Sequence, residues 1–113
     1  MAEYITKNKK NNYYLVSFPV KGVSETKTPS TKIVKHAIYK YREMGCFVPG
    51  FHLEADLSII KKSAHQLMEL INKFGWKKVL LPRPGCGAGG LSWNVVNPVI
   101  KDILDDRVIA IHL

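Results

Sequence analysis

Helical periodicity is clearest between Asp56 and Gly75, where apolar residues recur at the three- and four-residue intervals of one helix face. That face consists of Leu57, Ile60, Ala64, Leu67, Met68, Ile71 and Phe74. Asp56 is suited to the N-cap, because its carboxylate can accept a hydrogen bond from a free N–H group of the first turn. Gly75 is suited to the left-handed conformation that ends many helices. The pattern therefore predicts an α-helix between these two residues.

A second helical pattern follows Ser30 and Thr31, either of which can cap a helix. Its apolar face is formed by Ile33, Val34, Ala37, Ile38 and Tyr41. We expect Gly45 to end this helix as a left-handed cap. The flanking segments, residues 21–29 and 46–54, have the composition of irregular loops.

β-Prone segments lie near the start of the chain. Residues 13–20 are rich in Tyr, Val, Leu and Phe and predict a strand, and residues 3–6 predict a shorter one. Residues 7–12 are all Lys and Asn, a composition typical of turns. These segments together predict a hairpin with a basic turn. Pro19 indicates an unpaired or edge position at the end of the second strand.

Two more strands and a helix are predicted in the C-terminal part. Residues 77–81 predict a strand. Its apolar run, Val79, Leu80 and Leu81, is typical of a strand buried on both faces. Residues 107–112 predict the last strand.

Between these strands, Ser92 can cap a helix that reaches about Leu104. Pro98 is unfavourable inside a helix, whereas Asn97 and Pro98 suit an N-cap and the first helical position. We therefore expect one irregular turn after Ser92 and a regular helix from Asn97. The element order β-β-α-α-β-α-β predicts one α/β domain over residues 1–113, with a parallel strand pair at its C-terminal end.

Composition narrows the classes of partner. The hydrophobic fraction of 46% is that of a folded protein, and the net charge of +8 favours anionic partners, although a solvated lysine surface would give the same charge. Two cysteines without a Cys/His cluster predict neither a disulfide framework nor a metal site. We expect no cofactor. Without a signal peptide or an apolar run of about 20 residues, we expect a soluble cytoplasmic protein with no membrane association.

The richest chemistry lies between the predicted strand 77–81 and the helix that follows Ser92. Four glycines of this loop, Gly85, Gly87, Gly89 and Gly90, lie within six residues. Without a Cβ atom the backbone can approach a ligand closely, and the following helix N-terminus favours an anion. A phosphate or pyrophosphate is the expected occupant, and the alternative is a tight turn that uses glycine only to reverse the chain.

Two common phosphate motifs do not fit this loop. No Gly-Lys-Ser/Thr sequence follows, which excludes a P-loop nucleotide hydrolase. The spacing GxGxxG is formally present. However, Pro82, Arg83 and Pro84 separate the strand from the glycines, and no acidic residue ends the next strand, as a dinucleotide-binding fold requires.

The segment LPRPGCGAGGLSW (81–93) resembles the second ligand loop of macro domains, which bind ADP-ribose. It is most similar to short bacterial and phage macro-domain-like proteins and to the related ADP-ribose glycohydrolase branch. Three more segments resemble this group, namely YYLVSFPVK (13–21), ADLSIIKKSAHQL (55–67) and KFGWKKVLL (73–81). The resemblance implies a truncated macro-domain-like layered fold. We expect an N-terminal β-hairpin and a βαβ unit, with helices flanking a small mixed sheet.

The resemblance also implies which residues contact a ligand. The phosphates would be bound by Gly85, Cys86, Gly87, Ala88, Gly89 and Gly90. Further contact candidates are Pro84, Arg83, Leu91 and Trp93. Lys21 occupies a place comparable to a strand-end lysine of the glycohydrolase branch, and is the candidate for catalysis. That branch has an Asp where this chain has Gly89, which leaves hydrolysis of ADP-ribosyl bonds open.

Family members carry further strands, a helix and a first glycine-rich loop before the segment that matches Tyr13, and the residues before Tyr13 are too few to supply them. One of those strands lies between the two strands that match 13–20 and 77–81. We therefore expect either that these two strands pair directly or that a homodimer or protein partner fills the space.

An alternative function is binding of nucleic acid by the basic surface. Its candidate residues are Lys7, Lys9, Lys10, Lys32, Lys35, Lys61 and Lys62. These lysines have no interleaved aromatic residues in the sequence, so this alternative predicts binding that is salt-sensitive and unspecific. A third reading is a macro-type scaffold that binds a protein partner without a nucleotide.

Overall fold

The structure is a computed structural model that describes residues 5–8 and 13–112. An antiparallel hairpin begins this part of the chain. Strand β1 (Ile5–Asn8) pairs with β2 (Tyr13–Val16), with Ile5 opposite Val16. The predicted hairpin is confirmed, whereas most of its predicted turn lies outside the described residues. β2 is shorter than predicted, because the carbonyl groups of Pro19 and Val20 accept hydrogen bonds from the N-terminal part of the long helix instead of from a strand.

That helix, α1 (Leu57–Phe74), has the predicted bounds and caps. The Asp56 carboxylate accepts from the Ser58 backbone N–H at 2.8 Å. Gly75 has φ +67 and its N–H donates to the Ile71 carbonyl. Six residues of α1 are buried, so its apolar face forms the centre of the main core: Ile60, Ser63, Ala64, Leu67, Leu70 and Ile71.

The predicted βαβ unit is also present. Strand β5 (Val79–Pro82) is followed by helix α2 (Trp93–Lys101) and by β6 (Val108–Ile111), which pairs with β5 in parallel. The strands β3 and β4 precede α1 and are described below. Burial of β5 on both faces was a wrong prediction. Leu81 is 6% exposed and packs in the core, whereas Leu80 on the opposite face is 56% exposed, because no layer covers that face within the described residues.

Helix α2 differs from the prediction at its start. We expected an irregular turn before Asn97, but the helix is continuous from Trp93 and contains Pro98. The Ser92 hydroxyl accepts from the Asn94 N–H at 3.2 Å, and the Ser92 carbonyl accepts from Val96, so the first turn is fully formed. Proline at this position removes a single hydrogen bond, which a helix with a buried apolar face can tolerate.

The largest error concerns residues 31–45, where we expected an α-helix. The structure has only a 3-10 helix (Lys35–Lys40). Ile33 forms a β-bridge with Leu53, and the Val34 N–H donates to the His52 carbonyl at 3.0 Å. The Lys32 carbonyl accepts from the Glu54 N–H at 2.9 Å, so it cannot accept from the N–H group four residues later, as an α-helix requires.

The segments on either side were predicted to be loops, and both contain a short strand. β3 (Ser24–Thr26) pairs with β4 (Phe47–Pro49), and a 3-10 helix (Gly50–His52) follows. Gly45 has the expected positive φ, +80, but it lies in the connection before β4, where its N–H donates to the Lys27 carbonyl.

The fold is therefore mixed α/β with small sheets. The described strands form three separate two-stranded sheets, two antiparallel and one parallel, in place of the expected single mixed sheet. Apolar residues form a main cluster around α1, α2 and β5 and a smaller cluster of Ile33, Val48 and Leu53. A single domain stays a prediction. Across the described residues, no helix is both long and apolar enough to cross a bilayer.

Candidate functional site

The glycine loop, residues 83–92, connects the end of β5 to the first turn of α2. Gly85 and Gly90 have positive φ values of +74 and +79. The loop closes on itself, since the Leu91 N–H donates to the Gly85 carbonyl at 2.9 Å and the Gly90 N–H donates to the Gly87 carbonyl at 3.1 Å. The predicted strand-to-helix loop is therefore a compact turn with defined backbone contacts.

Two of the glycines are required by packing. A Cβ atom on Gly85 would lie 2.9 Å from both the Ala55 Cβ and the Ile60 Cδ1. A Cβ atom on Gly89 would lie 2.6 Å from the Gly85 carbonyl oxygen and 2.8 Å from the Ala55 Cβ. The Ala55 N–H also donates to the Gly89 carbonyl at 2.9 Å. These glycines thus allow the loop to approach the segment that leads into α1.

Gly87 is different, because neither packing nor a positive φ explains it. A Cβ atom there would meet nothing within 4 Å. Gly87 and Ala88 are exposed. The backbone N–H groups of Gly87, Ala88 and Gly89 form no hydrogen bond with any described part of the chain. Three consecutive backbone donors are thus unpaired in the middle of the loop, two of them on exposed residues and the third on the buried Gly89.

Lys21, the strand-end lysine predicted as a site residue, is at the loop. Its Nζ donates to the Ala88 carbonyl at 3.4 Å and to the Phe51 carbonyl at 3.0 Å. The positive charge therefore lies at the glycine loop, on the carbonyl side of the peptide between Ala88 and Gly89.

Arg83 and Trp93 contact each other at the two ends of the loop. The Arg83 guanidinium carbon lies 4.9 Å from the centre of the Trp93 ring, a cation–π distance. Its Nε is buried, and within the described residues it has no hydrogen-bond acceptor. Trp93 also packs against the main core, so the ring fixes the position of the arginine.

Three further candidates have mainly structural environments. Pro84 is buried, and Leu91 and Cys86 pack against the main core. The Cys86 thiol donates to the Pro84 carbonyl at 3.5 Å. Burial raises the pKa of the Cys86 thiol, and the nearby Arg83 charge opposes this only in part. Cys86 is therefore a packed thiol and not an activated nucleophile.

A cavity of about 400 Å³ adjoins the glycine loop at Leu91 and Ala55. Its wall includes Glu54, whose Cγ lies 3.7 Å from the Cβ position of Gly90, and Lys32. No sequence pattern indicates Glu54 as a site residue, because it reaches the loop only through the backbone contact between Ala55 and Gly89. A second cavity of about 330 Å³ lies against α2 and β6.

Within the described residues, no cluster of three or more His, Cys, Asp or Glu side chains is placed to hold a metal ion. No family model matches the chain, and no curated protein or solved structure matches it. The likeness to macro domains consequently rests on the quoted motifs alone.

Proposed function

We propose that the protein binds ADP-ribose or a related phosphate-bearing nucleotide at the glycine loop. The observation that carries the proposal is the run of available N–H donors at Gly87, Ala88 and Gly89. Consecutive backbone amides in front of a helix N-terminus are a common binding arrangement for phosphate oxygens. The absence of any packing reason for Gly87 supports the same interpretation, because a ligand that approaches closely would provide one.

The charged residues of the loop support an anionic ligand. The Lys21 ammonium is adjacent to Ala88, and a phosphate oxygen would supply the acceptor that the buried Arg83 Nε lacks. A buried donor without an acceptor costs about 1–3 kcal/mol, so an anion that supplies the acceptor recovers part of that free energy.

The cavity beside the loop can accommodate the nucleoside part of the ligand. Its walls combine apolar side chains such as Leu53 and Leu57 with three carboxylates, those of Glu25, Glu54 and Asp56. A carboxylate accepts hydrogen bonds from ribose hydroxyl groups but repels phosphate. We accordingly place the phosphates at residues 87–89 and a ribose towards Glu54. Hydrolysis is not part of the proposal, because Gly89 occupies the position of the acid in the glycohydrolase branch.

Calorimetric titration with ADP-ribose tests the proposal. Gly87→Glu places a carboxylate where the phosphates would bind and should abolish the heat of binding, while the open space around this residue leaves the fold unchanged. Gln66→Glu, on α1, adds the same charge away from the loop and should bind like the unmodified protein. Absence of binding by the unmodified protein, or equal binding by Gly87→Glu, would contradict the proposal.

A protein partner is a second candidate, favoured by β5. Within the described residues β5 pairs with β6 alone and not with β2, so the direct pairing that we considered does not occur. An open strand edge beside the exposed Leu80 and Ile109 is suited to a strand from a second copy of the chain or from another protein. Sedimentation equilibrium tests the homodimer, and a monomer at micromolar concentration would exclude it.

A further inference from the structure

Three aromatic side chains from two segments of the chain meet at the C-terminal end of α1. The Phe74 and Trp76 rings are stacked, with centres 5.3 Å apart and planes 16° from parallel. The Tyr14 ring lies 5.7 Å from that of Trp76. We call Tyr14, Phe74 and Trp76 the aromatic platform. It is separate from the glycine loop and takes no part in the function proposed above.

The platform is held by the end of the helix. Gly75 adopts φ +67, and the N–H groups of Gly75 and Trp76 both donate to the Ile71 carbonyl, at 2.8 and 3.2 Å. This reversal of the chain places the two rings on either side of Gly75 face to face. The hairpin strand β2 brings Tyr14 against them. The arrangement is thus fixed by backbone contacts.

The rings are only partly buried. Phe74 is 49% exposed and Tyr14 is 46% exposed. Large aromatic rings that remain half in water contribute little to stability, and an exposed cluster of them marks a binding surface more often than single apolar residues do.

Positive charge surrounds the platform. The Lys73 ammonium lies 5.5 Å from the centre of the Phe74 ring, and the exposed Lys77 and Lys78 follow Trp76 directly. The sequence contains no acidic residue between Leu70 and Lys101. Asp105, which is bonded to the nearby Arg107, already has its charge neutralised.

We infer that the aromatic platform binds single-stranded nucleic acid, with bases packed against the ring surfaces of Tyr14 and Phe74 that remain exposed and with phosphates paired with the surrounding lysines. Every base has a π-face, so stacking on aromatic rings within a basic surface gives affinity with little sequence preference. The net charge of +8 favours the same class of partner. An acidic peptide would use the lysines but would gain little from flat, stacked rings, so it is an alternative that the test excludes or selects.

Fluorescence anisotropy with a labelled oligothymidine tests the stacking. Trp76→Ala and Phe74→Ala should each weaken binding about tenfold, the usual effect of losing one stacked base. Trp76→Phe should retain most of the affinity, because it keeps an aromatic ring at this position. Tyr39→Ala is the matched control, because that ring is 60% exposed and has the Lys40 ammonium 5.9 Å from its centre, yet lies outside the platform.

The salt dependence tests the charges. Lys77→Gln and Lys78→Gln should each reduce the slope of log K against log salt by about 0.7, the value for one phosphate contact to a single strand. Lys35→Gln, an exposed lysine elsewhere, should leave the slope unchanged. Gly87→Glu should not alter oligothymidine binding, which separates this proposal from nucleotide binding at the glycine loop.

The inference is overturned if oligothymidine does not bind, if Tyr39→Ala weakens binding as much as Trp76→Ala, or if Lys35→Gln lowers the slope as much as Lys77→Gln. It is also overturned if polyglutamate competes as well as an oligonucleotide of equal charge, which would select the acidic peptide.

Discussion

The ammonium group of Lys21 lies 3.4 Å from the carbonyl oxygen of Ala88, a residue 67 positions further along the chain. The same ammonium lies 3.0 Å from the Phe51 carbonyl. One side chain therefore connects the segment after β2, the 3-10 helix before α1 and the glycine loop. This contact places a cation at the loop without adding a residue to it.

Replacing that cation should weaken binding more than it affects the fold. We expect Lys21→Gln to reduce the affinity for ADP-ribose about fivefold, equivalent to about 1 kcal/mol, the size of one hydrogen bond. The thermal unfolding midpoint should change little, because the lost contacts are solvent-exposed. Calorimetry and thermal unfolding measure the two effects, with Lys62→Gln on α1 as the charge control. Unchanged affinity would show that Lys21 does not contact the ligand.

Substitutions of the loop glycines should differ in their effect on the free energy of unfolding. Gly89→Ala introduces a Cβ atom 2.6 Å from the Gly85 carbonyl oxygen, and overpacking of this kind costs about 1–3 kcal/mol. Gly87→Ala meets open space, so we expect a change within about 0.5 kcal/mol. Denaturant unfolding of the two variants compares them directly. A similar loss of stability in both variants would contradict the conclusion that Gly89 is required by packing and Gly87 is not.

The N-cap of α1 should make the free energy of unfolding depend on pH in the acidic range. Hydrogen bonds from the Ser58 hydroxyl and backbone N–H hold the pKa of Asp56 below its usual value. The cap's contribution is therefore complete above the unfolded pKa of about 3.9 and is lost as the pH falls through the lower folded pKa.

Asp56→Ala should cost about 1 kcal/mol at neutral pH, whereas Asp56→Asn should keep the cap and remove this part of the acid dependence. The measurement is the free energy of unfolding as a function of pH. If the stability of Asp56→Asn depends on pH as steeply as that of the unmodified protein, the acid dependence comes from other carboxylates.

The thiol of Cys86 should react slowly. Burial raises its pKa, so the thiolate fraction at neutral pH is below that of a small free thiol. Alkylation by iodoacetamide in a Cys46→Ser background, followed by mass spectrometry, should be slower than alkylation of N-acetylcysteine. Arg83→Gln should slow it further, because the guanidinium opposes the effect of burial. Faster labelling than the free thiol would indicate an activated cysteine.

Much of the secondary structure was predictable because its signals are local. The bounds of α1 follow from apolar spacing, from the Asp56 carboxylate two residues before its donor partner Ser58, and from Gly75. The strand β5 and the Ser92 cap of α2 were predictable for the same reason, through a short apolar run and a hydroxyl side chain at the start of a helical segment. In each case the interacting groups lie within a few residues of one another.

The predictions failed where distant segments compete for the same backbone groups. The pattern around Ala37 has helical spacing, yet the pairing of Ile33 with Leu53 takes precedence over the helix. The three small sheets in place of one mixed sheet have the same origin, since strand pairing depends on contacts that no local pattern encodes.

For the site, the sequence by itself determined the glycine loop, its position between a strand and a helix, and the overall positive charge. Only the tertiary structure decided what each part contributes. Gly85 and Gly89 are explained by close approach to Ala55, while Gly87 is left without a packing role. The positions of Lys21 beside Ala88 and of Tyr14 beside Trp76 likewise depend on folding, because both pairs are far apart along the chain and meet only when α1 packs against its neighbours.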